Sequence, residues 1–298
     1  MIPATMLTDP VRGGFPSTSF CRSSQVLPLN ILVIGPAKTG TTIISKTIHH
    51  AIAGAEFHME PKNLEIFLSE SRIDGTSRVV KVIYEHWKKK PHLFRAIVNN
   101  ELPLVFDRLV TIVRDPRDEW ISRIMYFPYV WAGRQTAGAD FSPLEQWVRF
   151  IRGVETNPQN HSFVSMLNQL NQTFHSKIKV KGREKRGYWA FCNDLPAHAH
   201  QLRYEDFVSG RLGELEQFLG MSLSIPSSLG NLDRTMRSAS FNNWKALFKQ
   251  EDVDLFRREC GDLMETQGYT DWELEPVAQL DSASYSGYLR RVLAEYLD

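Results

Sequence analysis

The stretch ILVIGPAKTGTTIIS, residues 31–45, constrains the fold of this chain more than any other. A short, apolar, β-branched run ends in Gly-Pro, the pattern of a strand buried on both faces. TTIISKTIHHAIAG then carries Ile43, Ile44, Thr47, Ile48 and Ala51 at helical spacing, and Gly54 is the expected C-cap. A buried strand that runs through a glycine loop into a helix start brings backbone N–H groups and the positive end of the helix dipole to one point, where an anion is favoured. A nucleoside-triphosphatase loop reads G-x-x-x-x-G-K-[ST]. Here Gly35 and Gly40 keep the spacing, but Thr41 stands in the lysine position and the lysine has moved back to Lys38. The ammonium therefore enters the cradle from a different point, with Thr39, Thr41 and Thr42 supplying hydroxyls. On its own the segment also fits an ordinary strand–turn–helix connection.

RVVKVIY (78–84) and RLVTIVR (108–114) are two further buried strands, and HAHQLRYEDF (198–207) reads as a strand meeting a turn. Helical periodicity lies between and after them, in PHLFRAIVNNEL, PRDEWISRIMYF and SPLEQWVRFIRGV, then in GRLGELEQFLG, stopped by Gly220, and in KQEDVDLFRRECGDLMETQGY, closed by Gly268. Strands alternating with helices make an α/β fold: a single-domain, P-loop-type parallel sheet flanked by helices. The expected organisation is a flexible leader over 1–28, one domain over 29–275, and a C-terminal helical extension over 276–298 packed on the domain or on a partner.

Formal net charge is +1, from 35 Lys and Arg against 34 Asp and Glu, which gives no global field to pull the chain onto nucleic acid or an anionic membrane. Anion binding must come from local placement. Three cysteines, Cys21, Cys192 and Cys260, are odd in number and widely spaced; they fit neither a disulfide framework nor a metal site and are read as ordinary thiols of a reducing compartment. The expectation is a cytoplasmic chain with no membrane span, no metal and no nucleic-acid partner, and with a homodimer open.

A second motif narrows the reading. RLVTIVRDPRDEWIS places Arg114 at the end of a buried strand and Ser122 eight positions on, in the next helix, a pair suited to pinching one phosphate between a guanidinium fork and a hydroxyl. At this point the chain resembles the sulfotransferases that use 3′-phosphoadenosine 5′-phosphosulfate. Their P-K-[ST]-G-T-T loop corresponds to Ala37-Lys38-Thr39-Gly40-Thr41-Thr42, and their Arg and Ser eight apart to Arg114 and Ser122. LRYEDF is similar to their Y-E-D segment, which implies that Tyr204 lies by the adenine. RSASFNNWK resembles their R-K-G-x-x-G-D-W-K segment, which implies that Arg237 also grips the 3′-phosphate. The resemblance spans roughly 30–275. It departs at Ile43, where an aromatic often follows the threonine pair, at Ser238 and Ala239, which replace Lys-Gly, and at Ala37, where Pro36 is shifted by one.

The resemblance implies sulfuryl transfer from this donor to a hydroxyl or amine of a carbohydrate or small molecule, without a metal. An in-line acceptor needs a base, and the developing charge on the bridging oxygen needs a cation. Lys38 is the expected cation. For the base, Glu60 in AEFHMEPKNLEIF resembles the glutamate of carbohydrate sulfotransferases and is preferred; His86, three residues past the histidine position of the small-molecule enzymes, is second and Glu85 third. The run Lys177, Lys179, Lys181, Arg183, Lys185, Arg186 is read as a solvated face; if functional, it would draw an acidic acceptor such as a sulfated or uronate-bearing glycan. Tyr126, Phe127, Tyr129 and Trp131 line an acceptor pocket or pack in the core. Competing readings are a P-loop kinase with an unusual loop and a non-catalytic adenosine-bisphosphate-binding scaffold.

Overall fold

Strand β1 (Asn30–Gly35) lies at the centre of the molecule, and the side chains of Ile31 to Ile34 are essentially inaccessible. The computed structural model describes residues 28–61, 67, 75–102, 104–238 and 240–297. The expected leader, with Cys21, lies outside the described residues apart from Pro28.

After β1 come α1 (Thr41–His50), β2 (Glu56–Met59), β3 (Arg78–Ile83), α2 (Tyr84–Trp87), α3 (Pro91–Val98), β4 (Arg108–Val113), α4 (Pro116–Ala132), α5 (Ser142–Thr156) and α6 (Phe163–Thr173). They are followed by α7 (Gly182–Asn193), β5 (Ala199–Arg203), α8 (Tyr204–Val208), α9 (Gly213–Leu219), α10 (Asn243–Leu247), α11 (Gln250–Thr266) and α12 (Ser286–Leu297). The five strands form one parallel sheet in the order β2-β3-β1-β4-β5.

The period of two in each strand divides the apolar side chains between two layers. Ile31, Val33, Val79, Val110 and Ile112 pack with Ile44 and Ile48 of α1 and Leu215 and Leu219 of α9. Leu32, Ile34, Val80, Val82, Leu109 and Val113 face the larger cluster built by α3 to α7 and α10 to α12. Burying each such aliphatic side chain contributes about 1.5–3 kcal/mol. The chain leaves β1 toward β3 and later returns on its other side with β4, so the sheet reverses direction of growth between β1 and β4. In open parallel sheets a ligand crevice forms at that point, outside the carboxyl ends of the strands. The loops after β1 and β4 are those carrying Lys38 and Arg114.

Two expectations need correction, and one strand goes beyond those expected. Helix α1 stops at His50, not at Gly54: Ala51, Ile52 and Ala55 donate to carbonyls three residues back, tightening the chain into turns, and Gly54 sits in that turn with φ 71°. The segment after it holds β2, a short edge strand whose alternating polar residues Glu56 and His58 hide the strand pattern. In the basic run, Lys185 is not on a solvated face. It is buried on α7 and ion-paired to the fully buried Glu119 of α4. The closing helix α12 packs on α4 and α5, with Leu289, Val292 and Leu293 in the core.

Candidate active site

The loop between β1 and α1 is held open by two left-handed residues, Lys38 at φ 71° and Gly40 at φ 85°. Gly40 has no substitute: a Cβ there would stand 2.5 Å from the Tyr204 ring, in a backbone region that side chains disfavour. Lys38 occupies the same region with a side chain, a strain that such loops carry where function requires it. The Ala37 N–H donates to Glu85 Oε2 at 3.2 Å, and Glu85 Oε1 accepts from Arg123 at 2.8 Å. Arg123 also donates to Glu119 at 2.8 Å, and Glu119 is paired with Lys185. The loop is thus braced from behind by a chain of charges running through α4 to α7. Thr39 turns inward, its hydroxyl donating to the Pro36 carbonyl at 2.8 Å.

Four cationic side chains converge in front of this loop. Arg114, just after β4, donates from Nη1 to the Lys38 carbonyl at 2.8 Å and stacks over Tyr204 at 4.2 Å from the ring centroid; among the described residues its buried Nε has no hydrogen-bond partner. Arg237 lies over the Tyr285 ring at 5.5 Å, and among the described residues its buried Nη1 and Nη2 have no hydrogen-bond partner. Lys81 projects from β3 and is buried. Lys38 Nζ sits 3.7 Å from the Tyr126 ring centroid. Burial, reinforced by repulsion from Arg114, Arg237 and Lys81, lowers the Lys38 ammonium to about 7. Unpartnered buried guanidinium nitrogens cost free energy unless something accepts from them. The cluster is built for an anion.

Carboxylates near the cluster have defined roles. Asp115 accepts from the Arg117 N–H at 2.9 Å and from its Nη2 at 2.7 Å, so it caps α4. Asp118 accepts from the Trp244 N–H at 3.2 Å; burial raises its carboxyl, as does Asp115, while Arg114 and Arg237 oppose that rise. Glu60 follows β2 at φ 52°, where its N–H donates to the Lys81 carbonyl at 2.8 Å and its carboxylate pairs with the Lys81 ammonium. Burial lowers the Lys81 ammonium, and Glu60 opposes that shift.

A cavity of about 1120 Å³ joins these groups. Lys38, Gly40, Thr41, Thr42, Glu60, His86, Arg114, Ser122, Tyr204 and Arg237 all line it, whereas Thr39 is behind the loop and Glu85 is committed to bracing it. His86 stands exposed on α2 at the cavity edge. Ile43, Phe207, Val208, Ile225, Pro226 and Leu229 form its apolar wall. Sequence reasoning assigned no role to Lys81, Arg234 or Tyr285. Lys81 left a signal, being the one charge inside the apolar strand RVVKVI after its first residue. Arg234 donates to the Tyr129 phenol at 3.1 Å and pairs with Glu295 at 3.3 Å, contacts across long separations that no local pattern announces.

A family model described as "Sulfotransferase domain" matches residues 28–275. Among solved structures the chain is similar to mouse sulfotransferase SULT7A1 complexed with PAP, at 14% identity and a TM-score of 0.44, over 82% of this chain and 89% of that one. It is also similar to retinol dehydratase in complex with androsterone and inactive cofactor PAP, at 13% identity and a TM-score of 0.41, over 84% of this chain and 83% of that one. No curated protein sequence matches it. Among the described residues no group of three or more His, Cys, Asp and Glu could hold a metal ion, and no helix is long and apolar enough to cross a membrane. With the family match covering most of its length and a braced, cation-lined cavity at the switch point of the sheet, the chain belongs to the sulfotransferase domain family and is an enzyme of sulfuryl transfer.

Proposed function

We propose that the enzyme takes its sulfuryl group from 3′-phosphoadenosine 5′-phosphosulfate and delivers it to a hydroxyl or amine of a carbohydrate or small molecule. The observation that carries this reading is the set of three buried guanidinium nitrogens without partners among the described residues, Arg114 Nε and Arg237 Nη1 and Nη2, in the same cavity as Lys38. A 3′-phosphate supplies the acceptor atoms these nitrogens lack, and Ser122 adds a hydroxyl beside them. The loop N–H groups with Thr41 and Thr42 receive the 5′-phosphosulfate. Tyr204 and the apolar wall from Ile43 to Leu229 take the adenine, in place of an aromatic after the threonine pair.

The donor brings an activated sulfuryl group on a phosphate leaving group. The chain's own residues do three things around it. Lys38, protonated when an anion neutralises its cationic neighbours, holds the charge left on the bridging oxygen. Glu60, ion-paired with the Lys81 ammonium, accepts the acceptor's proton at its free oxygen. The acceptor oxygen forms its bond to sulfur as the bond from sulfur to the bridging oxygen breaks. Glu60 is favoured over His86 because it is anchored by its backbone and its ion pair, whereas His86 is exposed on a short helix. Two buried thiols, Cys192 and Cys260, each raised to about 12 by burial, suit a reducing, cytoplasmic compartment.

Purified protein incubated with the donor and a mixed acceptor panel, with and without EDTA, tests the reading. Sulfated product that persists in the chelator supports it. Phosphorylated product from ATP that vanishes with the chelator would indicate a kinase, and donor binding without turnover a scaffold.

A further inference from the structure

We propose that the acceptor is an anionic glycan, carrying carboxylate or sulfate groups, and that those groups dock in a second cavity beside the first. This rests on the assignment of the main cavity to the donor. The second cavity has a volume of about 450 Å³ and shares Ala37, Lys38, Tyr126 and Val130 with the main one, so a molecule seated in it reaches the loop lysine. Its remaining walls include Arg134, Lys177, Lys179 and Lys181, and among the described residues no Asp or Glu lines it.

Several other basic side chains are neutralised where they stand. Arg123, Arg186, Arg211, Arg234 and Lys245 each have a carboxylate partner. Among the described residues, none pairs with Arg134, Lys177, Lys179 or Lys181. Four cations without a carboxylate partner therefore line one cavity. Such a field concentrates anions and speeds their arrival.

Hydrogen bonds hold the start of this segment in place. Asn171 Oδ1 accepts from the Ile178 N–H at 2.9 Å, and its Nδ2 donates to the Ile178 carbonyl at 2.9 Å, pinning the start of the segment. Val180 is buried in the core, while Lys177, Lys179 and Lys181 are exposed at alternate positions, so the three ammonium groups are set along one side of an extended strip. Tyr126 and Phe127 add ring faces to the same cavity. Spaced cations above apolar rings fit a saccharide that presents an anionic group on one edge and C–H faces to the aromatics. A hydroxyl on that ring or the next then lies toward Lys38.

Calorimetric titration, with adenosine 3′,5′-bisphosphate saturating, compares a hexasaccharide of alternating glucuronate and N-acetylglucosamine with a neutral N-acetylglucosamine hexasaccharide. The parent protein should bind the uronate form at least tenfold more tightly, and raising salt should erode that preference. The triple substitution Lys177→Glu, Lys179→Glu, Lys181→Glu, all at exposed positions, should weaken the uronate form at least tenfold while Tm and bisphosphate affinity stay unchanged. Equal affinity for the two glycans, binding of neither, or an unaffected triple variant overturns the proposal. So does tighter binding of an oligothymidylate of equal charge, which would make the strip a nucleic-acid site. A separate bisphosphate titration distinguishes the failures: uronate binding without bisphosphate binding removes the donor assignment and leaves the anionic cavity standing.

Discussion

Arg114 donates from Nη1 to the backbone carbonyl of Lys38 at 2.8 Å, so the residue just after β4 also fixes the apex of the loop that follows β1. Under the proposed donor assignment one side chain serves two phosphate positions, touching the 3′ end directly and shaping the 5′ cradle through the backbone. Arg114→Ala should weaken adenosine 3′,5′-bisphosphate by roughly 1.5–3 kcal/mol, about 10- to 150-fold in Kd. Arg114→Lys should recover little, because a point charge does not replace the fork. Adenosine 5′-monophosphate, which lacks the 3′-phosphate, should lose less than the bisphosphate in parallel titrations. Equal losses for the two ligands would place Arg114 outside the 3′ site.

Lys38 gives a pH dependence with a definite sign. The free protein holds this ammonium at about 7, and a bound anion favours the protonated form. Binding of the bisphosphate should therefore take up protons: close to none at pH 6, about half a proton at pH 7 and nearly one at pH 8. Calorimetry in buffers of different ionisation enthalpy measures this directly. Kd should rise with pH above 7. Because the folded state disfavours the charged form that the unfolded chain keeps up to its ordinary value near 10.5, the stability cost is full below pH 7 and shrinks above it. Lys38→Met should therefore raise Tm more at pH 6 than at pH 8.5, while reducing turnover by orders of magnitude.

Glu60 and His86 share a cavity, but only Glu60 is anchored. Glu60→Gln keeps a hydrogen-bond acceptor for Lys81 and removes the base. It should lower kcat by about 10²- to 10⁴-fold with bisphosphate affinity within threefold. His86→Gln should change kcat by less than about fivefold. The reverse pattern, measured with any acceptor that turns over, would transfer the base to the histidine.

The C-terminal helix should support the donor site although it lies past the matched residues 28–275. Tyr285 sits beneath Arg237, and the buried carboxylate of Glu155 on α5 accepts from the Ser286 hydroxyl at 3.0 Å. Deleting residues 276–298 removes Leu289, Val292 and Leu293 from the core, where each large-to-small loss costs about 2–5 kcal/mol, so the truncated chain should fail to fold. Tyr285→Leu keeps the apolar volume and removes the ring. It should weaken the bisphosphate three- to tenfold, with Tm lowered by only a few degrees. An unchanged Kd would reduce α12 to packing alone.

What could be read from the sequence follows how local each signal is. Strands β1, β3 and β4 announce themselves because both their faces are buried, and the loop and Arg114 because each directly follows such a strand. Strand β2 is short, on the edge and half polar, so its alternation is lost, and with it the register that brings Glu60 to Lys81. Helix α6 is masked by Asn and Gln, although Phe163, Met166, Leu167 and Leu170 form its buried stripe. Lys185 looked solvated because its partner Glu119 lies 66 positions upstream. The second cavity depends on α4 meeting the strip 177–181, a contact set by tertiary packing that no single segment encodes.

The central claim is that the cation cluster at the carboxyl ends of β1 and β4 receives an adenosine nucleotide with phosphates at both 3′ and 5′ positions. Calorimetric titration of the purified protein with adenosine 3′,5′-bisphosphate, against AMP and ATP, tests it most directly. The account predicts micromolar binding of the bisphosphate, at least tenfold tighter than either control and abolished by the double substitution Arg114→Ala, Arg237→Ala. Absence of binding, or a preference for ATP that survives the double substitution, would contradict it.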